Sequence, residues 1–60
     1  MTISQMELQN LRHLIGSHDV AEKKLNCFAE SCTDPQVKQM FQQSAQSASQ
    51  TRQKLISFLA

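Results

Sequence analysis

The chain has few of the cross-linking residues on which very small proteins usually rely. Only two of its 60 residues are cysteines, Cys27 and Cys32. Both fall on the first predicted helix, five positions apart, so their side chains point in different directions and cannot form a disulfide within that helix. Two cysteines without a second pair of ligands also fall short of a zinc signature. We expect both to be structural, and a disulfide framework is excluded for one chain.

The chain also lacks a strong charge and a long hydrophobic run. Its formal net charge is +1, and 18% of its residues are charged. This gives no basic field of the strength that nucleic-acid binding usually needs. No stretch approaches the roughly 20 apolar residues that span a bilayer, and no signal-peptide pattern opens the sequence. We therefore expect synthesis in the cytoplasm, with neither nucleic acid nor membrane as a partner.

A chain of this length is one domain at most, and it buries too little surface to be comfortably stable alone. Ordering its residues costs on the order of 90 kcal/mol of conformational entropy, at about 1.5 kcal/mol for each residue. A second copy would roughly double the contact area available to each helix. The sequence therefore predicts a homodimer or a higher homo-oligomer.

The most informative segment is a stop-and-start signal around the single proline of the chain. Thr33 or Asp34 can cap the free N–H groups of a new helix, and Pro35 fits the first turn of that helix, where no N–H is needed. The sequence predicts an all-α antiparallel hairpin in one domain, residues 1–60. Its first helix covers about 5–32, its turn about 33–35 and its second helix about 35–59.

The first helix has a clear start and one questionable position. Ser4 and Glu7 have the spacing of a capping box, in which each side chain satisfies the other residue's backbone N–H. Gly16 could end a helix and Asp19 could cap a new one, so a break at 16–19 is an open alternative. The apolar phase continues through this region without a slip, which favours one helix.

Apolar residues recur three and four positions apart in both helices and predict one buried stripe on each. We expect these stripes to pack within a hairpin and between copies, giving a ferritin-like four-helix bundle. The second helix holds three bases and no acid, and its outer face is polar, with Gln42, Gln43, Gln46, Gln50 and Gln53. The residues expected to form the self-association interface are Leu11, Leu14, Ile15, Leu25, Phe28, Val37, Phe41, Ala48, Leu55 and Phe58.

Chemistry-bearing residues are sparse. His18 and Glu22 are one turn apart on the inward face, so they could meet one metal ion, and a twofold axis nearby would supply four ligands. The favoured interpretation is a structural His18 that is hydrogen-bonded to Glu22 or to Thr51 across the hairpin, with the metal site as the alternative. No serine or cysteine stands beside an orienting base in a catalytic spacing, so we expect no enzymatic activity and no cofactor.

The order of residues around the turn is similar to a known family. Phe28-Ala29, Cys32-Thr33-Asp34-Pro35, Val37-Lys38 and Phe41, then Ala45, Leu55 and Phe58-Leu59, resemble the spore coat protein F-like (Coat F) family over about residues 8–59. The resemblance implies a small ferritin-like helical protein of spore-forming bacteria, made in the cytoplasm and deposited in the spore coat with other coat proteins. Relatives carry histidine at the positions of Ala48 and Thr51, so a family metal site does not transfer to this chain.

Three functions follow as hypotheses. The leading one is a non-enzymatic structural or scaffolding protein, related to spore coat proteins, that acts by self-association. The second is a metal-binding bundle with His18 and Glu22 at the dimer axis. The third is a regulatory adaptor whose glutamine-rich face, around Gln46 and Gln50, docks a partner helix.

Overall fold

The computed structural model describes residues 3–59 and consists of two antiparallel α-helices. Helix α1 covers Gln5–Ser31 and helix α2 covers Pro35–Ser57. The hairpin measures 46 × 14 × 12 Å, so it is a rod rather than a sphere. The predicted all-α helical hairpin is confirmed.

The first helix begins with the predicted capping box. The Ser4 hydroxyl accepts from the Glu7 N–H at 3.1 Å, and the Glu7 carboxylate accepts from the Ser4 N–H at 3.0 Å. These two bonds satisfy donors that the first helical turn would leave free. The bond from the Ser4 backbone N–H to the Glu7 carboxylate, and secondarily the nearby Ser4 side chain, favour the ionised form and lower the pKa of the Glu7 carboxyl below its usual value.

The lowered pKa of Glu7 predicts a stability contribution that depends on pH. It is fully present above the usual glutamate pKa, and it is lost as the pH falls through the lower folded-state pKa. Glu7→Gln keeps a hydrogen-bonding side chain but cannot ionise. We expect the native protein to exceed this variant in urea midpoint at neutral pH, with the difference shrinking towards about pH 3. A difference that stays constant over this range would contradict the assignment.

Helix α1 continues through Gly16 without a break. The glycine has no positive φ, and a β-carbon placed on it would have no other atom within 4 Å. Neither a special backbone conformation nor a close approach therefore requires glycine here. The continuous helix resolves the alternative that the sequence left open.

Replacing Gly16 by alanine should therefore stabilise the hairpin. Alanine loses less backbone freedom in a helix, which is worth about 1 kcal/mol at an exposed interior position. We expect a gain of about this size in the free energy of unfolding measured by urea titration. Ser17→Ala, at the next exposed position, is the control and should give a smaller gain. An unchanged or lowered value for Gly16→Ala would contradict this reading of the helix.

The turn is made by three residues between the helices. The Asp34 carboxylate accepts from the N–H groups of Gln36 at 2.8 Å and Val37 at 3.2 Å. Pro35 is the first residue of α2, where its missing N–H costs nothing. Of the two caps that the sequence allowed, Thr33 and Asp34, the structure uses Asp34. The short connection makes the two helices neighbours.

Helix α2 ends two residues before the predicted limit of 59. The N–H groups of Phe58 and Leu59 bond to the carbonyls of Leu55 and Ile56, three residues back, at 3.2 and 2.9 Å. This tighter pattern is typical of a last helical turn, where four carbonyls have no α-helical partner. The apolar periodicity extends beyond the α-helix itself because the closing turn keeps the same residues on the same side.

The helices meet along a seam whose residues alternate three and four positions apart. This spacing is typical of a coiled-coil interface. Ala29 and Ala45 are each 2% exposed and mark the closest packing, whereas the other seam residues are half-buried. The seam consists of Leu8, Leu11, Ile15, His18, Glu22, Leu25, Ala29 and Cys32 from α1 and Phe41, Ala45, Ala48, Arg52 and Leu55 from α2.

Candidate functional site

A charged cluster interrupts the middle of the apolar seam. Arg52 of α2 reaches α1 with both terminal nitrogens: Nη1 lies 2.9 Å from Asp19 Oδ1, and Nη2 lies 3.0 Å from Glu22 Oε1. The three side chains are between 25% and 35% exposed, so water screens them only in part. Both pairs are charge-assisted hydrogen bonds between the helices. They fix the position of Arg52 along α1, next to Asp19 and Glu22.

One nitrogen of the Arg52 guanidinium has no hydrogen-bond partner. Its Nε is buried and has no hydrogen-bond partner, although both terminal nitrogens are paired. A buried donor without a partner costs free energy, so this cluster stabilises the hairpin less than its ion pairs alone indicate. Lys23, which is 76% exposed, adds an ion pair with Asp19 at 3.2 Å on the solvent side.

His18 lies beside this cluster but does not join it. Its Nδ1 is 2.7 Å from the carbonyl oxygen of Leu14, one turn earlier on the same helix. The expected bond from His18 to Glu22 or Thr51 is therefore wrong. Glu22 is bound by Arg52 instead, and Thr51 is exposed on α2. Within residues 3–59, no group of three or more histidine, cysteine or acidic side chains is arranged to hold a metal ion.

Sequence reasoning missed Arg52. The predicted stripe of α2 followed apolar and small side chains and placed Thr51 inward. The seam spacing from Phe41 through Ala45 and Ala48 leads to position 52, and Arg52 is indeed half-buried there. A strict alternation of three and four, applied without regard to residue type, would have found it.

A second apolar surface, here called the flank, runs beside the seam. In α1 it occupies the positions immediately before seam residues. Its large side chains are solvent-exposed, from 40% for Val37 to 65% for Met40. The flank consists of Leu14, Ala21 and Phe28 from α1 and Val37, Met40 and Phe58 from α2.

The two halves of the flank lie on one side of the hairpin. Two antiparallel helices are related by a local twofold axis perpendicular to their common plane, so equivalent rows face the same way. Contacts at the open end of the hairpin agree with this placement. Leu14 and Phe58 line one apolar cleft at the open end of the hairpin, together with Leu11 and Leu55. Near the turn, the Phe28 ring lies 5.7 Å from the Phe41 ring, centroid to centroid.

The structure divides the residues predicted for self-association into two sets. The first set lies in the seam between α1 and α2 and comprises Leu11, Ile15, Leu25, Phe41, Ala48 and Leu55. The second set is exposed on the flank and comprises Leu14, Phe28, Val37 and Phe58. One hairpin therefore uses only part of the predicted apolar surface.

The remaining candidate features are the two cysteines and the glutamine-rich face. Cys27 is exposed, Cys32 is half-buried, and both are free thiols. The glutamines of the outer face of α2, including Gln46 and Gln50, are solvent-exposed. Neither described helix is long and apolar enough to cross a membrane.

Comparison with protein-family models, with curated proteins and with solved structures finds no match for this chain. The findings therefore show a two-helix antiparallel hairpin and no family.

Proposed function

We propose that the protein is a non-enzymatic structural or scaffolding element that works by self-association: two copies join through their flanks to form an antiparallel four-helix bundle. The observation that carries this proposal is the flank itself. It offers large apolar side chains from both helices on one side of the rod, and burial of such surface is the main driving force for protein association.

The exposed area supports a second copy as the occupant of the flank. The hairpin exposes 4843 Å², whereas a compact protein of this mass exposes roughly 4,000 Å². The excess of roughly 800 to 900 Å² is close to the area that each partner buries in a standard interface, about 800 Å². The radius of gyration of 14.2 Å likewise exceeds the roughly 10 Å of a compact chain of this length. A single hairpin thus exposes more surface than a compact protein of its mass, by about the area of one protein–protein interface.

We extend this proposal to the spore coat on the resemblance of the turn region to Coat F-like proteins. A rigid, self-associating rod suits a structural layer, because repeated helical surfaces can be added without any chemistry. Its test is location. A fluorescent fusion expressed in a sporulating bacterium should concentrate around the forespore, and an even distribution through the mother cell would count against the coat role.

Leu14→Glu tests the flank directly. Leu14 is 48% exposed in one hairpin, so the glutamate can stay hydrated in a monomer but would be buried without a partner in the bundle. We expect sedimentation equilibrium to give the mass of two chains for the native protein and of one chain for the variant. Circular dichroism should show that the variant monomer keeps most of its helix.

Gln43→Glu is the matched control, since it adds the same charge on the exposed outer face of α2. It should keep the two-chain mass. A Leu14→Glu variant that is still dimeric would show that the flank is not the interface. A native protein that is monomeric at all concentrations would remove the proposal, and capture of a different helical protein would then favour the adaptor.

A further inference from the structure

The seam and the flank are two apolar surfaces on the same pair of helices, and each could accept a helix from another copy. In the charged cluster, Glu22 and Arg52 lie in the seam and Asp19 lies beside it, and none of the three is a flank residue. The cluster therefore distinguishes two surfaces that hydrophobicity alone would leave interchangeable. Burial is non-directional, whereas paired charges accept only a complementary partner.

The cluster is satisfied by one combination of helices. If α1 met a second α1 through its seam, Asp19 and Glu22 would face acids without the guanidinium. If α2 met a second α2, Arg52 would lie among alanines, since Ala45 and Ala48 are its seam neighbours. The first pairing leaves Glu22 half-buried without a counter-ion, although Asp19 keeps Lys23, and the second leaves Arg52 without one. Both losses are unfavourable. The pairing of α1 with α2 places both carboxylates within 3.0 Å of Arg52.

We propose that the Asp19–Glu22–Arg52 cluster is the specificity element of this fold: it reserves the seam for α1 against α2 and leaves only the flank for the second copy. The first half concerns the hairpin alone, and the second half rests on the proposed function. Single buried polar groups in coiled coils set register and partner choice in this way, at a cost in stability.

The orphaned Nε of Arg52 shows where that cost arises. An apolar side chain at this position would avoid an unsatisfied donor and would match the neighbouring seam residues. Replacing Arg52 and Glu22 together by leucine removes the donor and its counter-ion at once, so this double variant should melt at the same temperature as the native protein or higher, and yet lose its single structure. Stability and specificity should move in opposite directions, which a purely stabilising ion cluster would not show.

The first experiment compares the Glu22→Leu, Arg52→Leu double variant with Gln53→Leu, which adds the same side chain at an exposed position of α2. Both are made in the native and in the Leu14→Glu background. Native protein and Gln53→Leu should each give one set of backbone amide signals by NMR and one boundary in sedimentation velocity. The leucine double variant should give several signals for many residues and a broad mixture of sizes. One set of signals and one size for this double variant would overturn the proposal.

The second experiment exchanges the charges. Asp19→Asn with Arg52→Glu leaves two acids and no base in the seam, and adding Glu22→Arg restores one complementary pair. The double variant should lose its single set of signals and the triple variant should regain it. A triple variant that is no better than the double would overturn the proposal. In the Leu14→Glu background the hairpin is expected to be monomeric, so any change in the NMR signals reports on the seam alone. A failure of the seam proposal can then be told apart from a failure of the proposed dimer.

Discussion

Phe41→Asp is expected to unfold the hairpin at neutral pH. Phe41 lies in the seam and its ring is 5.7 Å from that of Phe28, in the part of the seam nearest the turn. Truncating a fully buried phenylalanine costs about 3 to 5 kcal/mol, so for the half-buried Phe41 we expect a loss near the lower end of this range, to which partial desolvation of the carboxylate adds. A domain of this length is stable by only about 3 to 9 kcal/mol.

Circular dichroism at 25 °C measures this effect as loss of the helical signal, and urea titration measures what stability remains. Gln42→Asp is the control, since it places the same carboxylate one residue further on, at an exposed position. It should stay helical with nearly the native urea midpoint. If Phe41→Asp also keeps its helix and midpoint, the seam does not hold the hairpin as described.

Ala45→Glu is the second change with a large expected effect. Ala45 is 2% exposed, as is Ala29 on the other helix, and these are the two fully buried side chains of the described seam. A glutamate side chain has no room there, and its carboxylate would be buried away from Arg52, seven residues along α2. Overpacking alone typically costs about 1 to 3 kcal/mol, and an unpaired buried charge costs more.

We expect Ala45→Glu to show a cooperative transition at much lower urea concentration than the native protein, or none. Gln46→Glu, next along the helix and exposed, should have nearly the native urea midpoint.

The same pair of variants bears on the adaptor hypothesis, because the exposed Gln46→Glu would weaken binding of a partner that docks on the glutamine-rich face. An Ala45→Glu variant as stable as Gln46→Glu would place the helix contact elsewhere.

Local signals in the sequence were sufficient for the elements of the fold. The cap at Asp34, the proline after it and the capping box of Ser4 and Glu7 each depend on neighbouring residues, and each appears in the structure where the sequence placed it. The sequence left two local signals open: the choice between Thr33 and Asp34 as the cap, and Gly16. Helix α1 continues through Gly16, as the unbroken apolar periodicity favoured.

The centre of the seam could not be predicted in the same way, because it depends on contacts between helices. The pairing of Arg52 with Asp19 and Glu22 joins residues 33 and 30 positions apart, and the apolar stripe predicted for α2 passed over the charged residue at position 52. Helical spacing predicted a hydrogen bond between His18 and Glu22. In the structure the Glu22 carboxylate instead accepts a charge-assisted hydrogen bond from Arg52. The flank was visible as apolar residues in the sequence, yet only the structure separates it from the seam.

The central claim is that the hairpin is half of a bundle, and the solution mass of the native protein tests it most directly. Light scattering over a dilution series, repeated after chelator and after added zinc or ferrous iron, should give the mass of two chains or a larger multiple, independent of metal. A dimer that forms only with metal would indicate that the two copies meet at His18 and Glu22, as metal ligands, and not at the flank. A mass of one chain at every concentration, with the helix intact, would contradict the account.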